Sequence, residues 1–276
     1  MRILDGKKLA EEILEKLKKE IKKKRLKLKI AVVLVGKNSA SKIFVREKQK
    51  ACEFVGIDFQ LFKFPSKISA QKLKKEIEKI VKKPIVSGVV IQLPLPKNLN
   101  SQGILNLIPL EKDIDVLSEI NIGKFYTNGL AILPPVVNAV SHFLREYKIS
   151  IKGKNVVLVG AGRLVGRPLA LWLLKEKATI SVVDKFTKDI SFFTKKADII
   201  ISGVGDPSLI TVKMVKKGVI VIDADTSSEK GKGKLVGDVD FKSVSKKTSY
   251  ITPVPGGLGP MTVACLLENL VKLNKK

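Results

Sequence analysis

The sequence predicts an α/β protein of two lobes, each built on a parallel sheet covered by helices. Short β-branched apolar runs alternate with helix-period segments in βαβαβ order, once before residue 97 and again after residue 150. Most of these runs are apolar throughout rather than alternating, as strands buried on both faces are. A length of 276 residues suits one or two domains of ordinary size.

Asp5-Gly6 precedes Leu9, Ile13, Leu17 and Ile21, a four-residue period that predicts an N-capped amphipathic helix. The run from Ile30 to Gly36 reads as a buried strand ended by glycine. A helix follows over Ala40–Val55 and closes at Gly56. Then come a strand over Asp58–Phe64, a helix over Ser69–Val81 and a strand over Val86–Gln92, which Pro94 and Pro96 stop. After a helical stretch over Val136–Tyr147 the pattern returns. Lys154–Val159 reads as a strand and Val165–Lys175 as a helix. Thr179–Asp184, Asp198–Ser202 and Gly218–Asp223 read as further strands, and Met261–Leu273 as a closing helix. No low-complexity linker separates the halves, so the boundary near residues 134–140 is expected to be a tight hinge beside a cleft.

Apolar residues at 45% and charged residues at 28% exclude disorder. The charge balance is lopsided: 52 Lys and Arg against 26 Asp and Glu leave a net +26. Such a balance raises a nucleic-acid or anionic-membrane reading. Only six of those cations are Arg (Arg2, Arg25, Arg46, Arg145, Arg163 and Arg167), whereas phosphate and base readers favour the guanidinium fork. The lysines crowd into helical stretches such as Lys16–Arg25. A Lys-coated surface is therefore preferred, with no nucleic acid and no membrane among the expected partners. A basic nucleic-acid-binding protein stands as the rival. Cys52, Cys265 and the lone His142 form no metal-ligand spacing and no disulfide framework, so no metal is expected. The first residues carry no signal-peptide apolar region and no window reaches 18 apolar residues, which points to the cytoplasm.

The segment from Val156 to Pro168 is a strand, a turn with Gly160, Ala161 and Gly162, and a helix start. Glycines there let the backbone approach a pyrophosphate, whose charge sits at the helix N-terminus. The spacing is GxGxxxG rather than GxGxxG, and a plain tight βα connection is the alternative. Asp184 ends the next strand, 22 residues after Gly162, near the place where an acid binds a ribose 2′-hydroxyl and repels a 2′-phosphate. Adjacent Lys185 offers a phosphate contact instead. The cofactor expected is NAD or NADP, with NAD favoured.

Several stretches together resemble the bifunctional methylenetetrahydrofolate dehydrogenase/cyclohydrolase family over nearly the whole chain. The most specific is Thr252–Thr262, TPVPGGLGPMT, close to the family's TPVPGGVGPMT. Also similar are Ile91–Pro96, Lys112–Asp115, Val165–Pro168, Gly237–Asp240 and Ser41–Ile57, the last matching SxxYVxxKxKAxxxVGI. The resemblance implies a catalytic, folate-binding domain over residues 1–137, completed by a C-terminal helix over 261–276 that returns to the first lobe. It implies a Rossmann-like NAD(P)-binding domain over 138–260 and a homodimer. The implied chemistry is oxidation of 5,10-methylenetetrahydrofolate to the methenyl compound, then hydrolysis to 10-formyltetrahydrofolate. Lys48 falls on the family's catalytic Lys, Gln92 on the Gln that bonds it, and Asp115 on the Asp that holds the pterin ring. Phe44 and the turn Pro255-Gly256-Gly257 fall on the substrate side. Gly160, Ala161, Gly162, Asp184, Lys185 and Thr226 fall on the cofactor side.

Departures cluster around the ligand motifs. Phe44 replaces Tyr, Val116 replaces the Gly of KDVDG, and Ile132–Val137 replaces PCTPxG. Gly160-Ala161-Gly162 replaces GRS, Asp184-Lys185 replaces His-Ser, and Ile222–Ser227 replaces IDVGIN. A diverged folate-binding protein with one activity or none is the alternative they raise.

Overall fold

A computed structural model describes residues 1–224, 227–228 and 235–275. The chain groups into two compact units, Glu11–Pro135 with Val263–Lys276, and Met1–Ala10 with Val136–Thr262. The expected α/β architecture, with its parallel sheets, is present in both.

In the first unit the strand Lys29–Val35 lies between Asp58–Phe64 and Gly88–Ile91, all parallel. Six of its seven residues are buried, which accounts for the unbroken apolar run. The helix Ser39–Val55 begins where the Asn38 side chain accepts from Ser41 N and ends at Gly56, whose φ of 83° suits glycine. Its buried residues Ser41, Val45, Ala51, Cys52 and Val55 face the core. The helix Ala70–Val81 is capped by Ser69 and buries Leu73, Ile77, Ile80 and Val81. They join Val33, Val89 and Ile91 in one apolar cluster.

Three features here were not anticipated from the sequence. Short helices over Ser101–Leu105 and Glu119–Tyr126 start at Asn100 and Ser118, whose side chains accept from Gly103 N and Asn121 N. The strand expected over Val86–Gln92 spans only Gly88–Ile91, because Val86 N bonds Lys83 O in a turn. The C-terminal helix, Leu258–Leu273, starts three residues early. Its later turns pack in this unit: a Cβ on Gly88 would lie 2.5 Å from Leu270 Cδ1, and Asn269 Nδ2 donates to Ile114 O at 2.9 Å.

The second unit holds a six-stranded sheet in the order Arg2–Ile3, Tyr250–Ile251, Ile220–Asp223, Ile199–Ser202, Asn155–Val159, Thr179–Val183. Every pairing in it is parallel. Neither two-residue strand was legible, since each is too short to show a period. The helix Gly166–Lys175 follows the strand Asn155–Val159, which lies next to the sheet edge, and buries Leu169, Trp172 and Leu173.

Candidate functional site

Lys48 sits on the helix Ser39–Val55 between Val45 and Cys52, at the three- and four-residue spacing of the buried stripe. A core-facing Lys is costly unless its ammonium is met. Lys48 Nζ donates to Gln92 Oε1 at 2.7 Å. Gln92 is itself fixed: its backbone N bonds Val33 O and its Nε2 donates to Leu93 O, both at 2.9 Å. The carboxamide oxygen is thereby turned toward the amine.

Asp115 completes the group from the loop after Leu110–Lys112. Burial pushes its carboxyl up to about 6; the Lys48 ammonium opposes that rise and Asp113 adds to it. Burial likewise holds Lys48 below the usual lysine range, against the raising influence of Asp115. For both groups burial outweighs mutual attraction, so each is held nearer to its neutral form than in water. The structure thus brings Lys48, Gln92 and Asp115 together. Phe44 stands one helical turn before Lys48, on the same face.

The loop carrying Asp115 is tied from beneath by residues that the sequence left without a role. Asp113, fully buried, accepts from Leu117 N, Ser118 N and Asn121 Nδ2 at 2.9–3.2 Å. Lys112 Nζ donates to Val81 O and Lys83 O, anchoring the loop to the end of the helix Ala70–Val81. Val116 takes φ 58°, a left-handed conformation that a β-branched residue rarely adopts, at the position of the missing glycine. Its side chain is 2% exposed, and that burial offsets the strain.

The other candidate residues lie in the second unit. Gly160 has φ 109°, and a Cβ on it would lie 2.7 Å from Gly203 O. A Cβ on Gly166 would fall 1.9 Å from Gly160 O, so the first turn of Gly166–Lys175 packs directly on the glycine turn. Gly162 is exposed and has open space where its side chain would be. The residue just before that helix, Val165, supplies no side-chain cap. These features fit a bound pyrophosphate, which needs close backbone approach and uncapped N–H groups.

Gly160 N donates to Val183 O at 2.7 Å, setting Asp184 beside the turn. Asp184 Oδ1 accepts from Phe186 N at 2.9 Å, and Lys185 is exposed. Thr226 lies outside the described residues. Pro255, Gly256 and Gly257 form a tight turn in this unit. Lys7 N donates to Gly256 O at 2.9 Å, and a Cβ on Gly6 would lie 1.8 Å from Gly257 O. Packing alone accounts for the glycine at 257, since a Cβ there would meet Pro253 O at 2.5 Å.

Asp238 lies within the stretch Gly237–Asp240, whose sequence alone assigns it no role. It is fully buried and accepts from Ser202 Oγ, Val204 N, Gly205 N and Asp206 N at 2.7–2.9 Å. It therefore shapes the loop that begins at Gly203, against which Gly160 packs.

Residues 4–115 match the catalytic domain of tetrahydrofolate dehydrogenase/cyclohydrolase, and residues 134–276 match its NAD(P)-binding domain. The chain belongs to the tetrahydrofolate dehydrogenase/cyclohydrolase family. It is 46% identical to the bifunctional protein FolD of Hydrogenobaculum sp. (strain Y04AAS1), covering 100% of this chain and 99% of that one. Among solved structures it is similar to the bifunctional methylenetetrahydrofolate dehydrogenase/cyclohydrolase FolD of Campylobacter jejuni. That likeness has TM-score 0.93 and 43% identity over 99% of this chain and 98% of the other. It is also similar to the Trypanosoma brucei enzyme solved with NADP and an inhibitor, with TM-score 0.92 and 34% identity over 98% and 95% of the two chains. As a member of this family the chain is an enzyme that takes a nicotinamide cofactor. Among the described residues, no helix is long and apolar enough to cross a membrane.

Proposed function

We propose that the chain oxidises 5,10-methylenetetrahydrofolate to the 5,10-methenyl compound with NAD(P)⁺ and hydrolyses that product to 10-formyltetrahydrofolate. The observation that carries this reading is the part-buried Lys48–Gln92 bond beside Asp115, in a chain of this family.

The cofactor, when bound, accepts the hydride that leaves the methylene carbon. The folate nitrogens stabilise the resulting cation themselves, so the protein chiefly holds the substrate in line. In our reading Asp115 binds the amino and ring N–H groups of the pterin, and two bonds to one carboxylate fix the ring's orientation. Phe44 contributes a ring face without the hydroxyl of the family's Tyr. Hydrolysis begins with water attacking the cationic carbon, and one proton must leave. Lys48, held below the usual lysine range, is the group to take it. Gln92 keeps the amine aimed by accepting one of its N–H bonds. Collapse of the adduct breaks one ring C–N bond as the hydroxyl proton passes to the departing nitrogen, and the formyl group stays on the other nitrogen.

For the cofactor we propose NAD over NADP. The Asp184 carboxylate beside the glycine turn suits a ribose 2′-hydroxyl and repels a 2′-phosphate. The GRS arginine and the His-Ser pair of the family pattern are absent here. Cys52 and Cys265 are buried and in no disulfide, which fits a reducing cytoplasm. A homodimer through the second unit is supported by the strand Thr179–Val183, which lies at the sheet edge with Val182 exposed.

Following methenyl absorbance with each nucleotide tests the oxidation, and no turnover with either overturns it. Lys48→Met should abolish hydrolysis of the methenyl compound while largely sparing its binding; undiminished hydrolysis removes Lys48 from the reaction. Asp184→Ser should move preference toward NADP, and an unmoved ratio shows that the carboxylate does not read the 2′ position.

A further inference from the structure

Phe186 is 80% exposed, more than any other large apolar side chain among the described residues. Nothing in the fold explains it. A solvent-facing phenyl forgoes the stabilisation that burial would give. The backbone around it is also held firmly. Thr187 N donates to Asp184 O at 3.0 Å, Asp184 N to Thr187 Oγ1 at 3.1 Å, and Phe186 N to Asp184 Oδ1 at 2.9 Å. These three bonds close a tight turn that carries Lys185 and Phe186 at its two central positions. Lys185 Nζ lies 4.9 Å from the centroid of the Phe186 ring. The turn starts one residue after Val183, whose carbonyl is bonded to Gly160 N at the glycine turn.

A dinucleotide seated on that glycine turn has its adenosine ribose next to Asp184. The purine leaves the ribose carbon adjacent to the 2′-hydroxyl, so it must lie within a few ångströms of the group Asp184 binds. Phe186 is two residues further on, on the tip of the same turn. We propose that Phe186 is the platform for the adenine of the cofactor, the purine stacking on its ring while Asp184 takes the ribose. The inference rests on the proposed reading of Gly160–Gly162 and Asp184 as the dinucleotide site.

Aromatic faces accept any purine in offset or tilted stacking, with centroids about 4.5–7 Å apart. A rigid turn fixes the platform in advance, so little ordering is needed on binding. Lys185 Nζ lies over one face of the ring, so the purine takes the opposite face of this exposed side chain. The ammonium places positive charge where a phosphate-bearing ligand approaches. That combination of one ring, one cation and one carboxylate suits a nucleotide better than a second protein surface, which would need a broader apolar patch. A second copy of the chain covering Phe186 is the competing occupant.

The test compares wild type with Phe186→Ala and Phe186→Tyr, using whichever of NAD⁺ and NADP⁺ wild type prefers. The alanine variant should raise the nucleotide KM about tenfold, equivalent to ~1.4 kcal/mol. Its kcat at saturating nucleotide should stay within about twofold of wild type, because the adenine is remote from the carbon that is oxidised. Titration calorimetry of the nucleotide alone should show the same loss of affinity. The tyrosine variant, which keeps the ring, should restore both values. An unchanged KM in Phe186→Ala overturns the proposal. So does a fall in sedimenting mass with KM unaltered, which would assign the ring to a subunit interface. Equal loss in the alanine and tyrosine variants also overturns it, since a platform needs only the ring. A wild-type protein that binds neither nucleotide would instead overturn the underlying reading of the glycine turn.

Discussion

Replacing Asp115 with Asn should stabilise the protein near neutral pH and not in acid. The ordinary aspartate value is 3.8, and burial pushes Asp115 up to about 6 in the folded chain. A raised folded value means that the folded state resists ionisation. The cost begins as pH rises through the unfolded value, grows until the folded value is reached, and is constant above it. That sign is the reverse of a salt-bridged aspartate's. With these two values the full cost is about 3 kcal/mol at pH 7, about half that at pH 5, and well under about 1 kcal/mol at pH 4. Asparagine keeps the shape and removes the charge. It also takes a counter-charge away from Lys48, whose bond to Gln92 remains. The net gain is therefore smaller, about 1–2 kcal/mol at pH 7.5, and it vanishes toward pH 4. Urea unfolding of both proteins at pH 4, 5.5 and 7.5, with equal m values, reads the difference directly. A stability difference that does not change with pH, or an asparagine variant that is weaker at 7.5 than at 4, would refute the reasoning. Activity should fall as stability rises, the trade expected where a buried charge is kept for function.

Gly166→Ala forces a Cβ to within 1.9 Å of the Gly160 carbonyl. It should lower Tm by more than about 5 °C and weaken nucleotide binding, as calorimetry and a thermal melt will show. Asp238→Ala strands the buried Ser202 hydroxyl, while water can reach the amides of exposed Val204, Gly205 and Asp206. We expect a loss of about 3 kcal/mol in denaturant unfolding, and less than about 1 kcal/mol would show that the carboxylate is dispensable. Burial pushes the Cys52 thiol up to about 12, and Cys265 is buried too. A thiol reagent at pH 8 should therefore label neither cysteine in the native protein and both after denaturation; fast native labelling contradicts this.

Sequence reading reached Lys48, Gln92 and Asp115 through a resemblance, yet Lys48 also carried a physical signal of its own. Ser41, Val45, Cys52 and Val55 recur at helical spacing, and the one cation that falls on their stripe is Lys48. Among so many solvated lysines, that position marks the residue whose charge the fold must accommodate. The net +26 carried no such information, because a sum over the surface erases position. Asp113 and Asp238 were beyond reach for a different reason. What makes each of them matter is a set of backbone donors. For Asp113 these lie within five residues, inside a loop with no period to betray it. For Asp238 they lie 32–34 residues away in the chain. An acidic residue in a short polar motif reads as a turn, and only tertiary structure distinguishes it from a buried acceptor that shapes a loop. The glycines divide in the same way. Gly160 and Gly166 were legible as a ligand turn, and the structure adds that they are also packed against each other. A sequence departure at such a position must therefore satisfy both packing and ligand. At Val116 packing prevailed: the chain keeps a strained left-handed valine whose side chain is buried in the core.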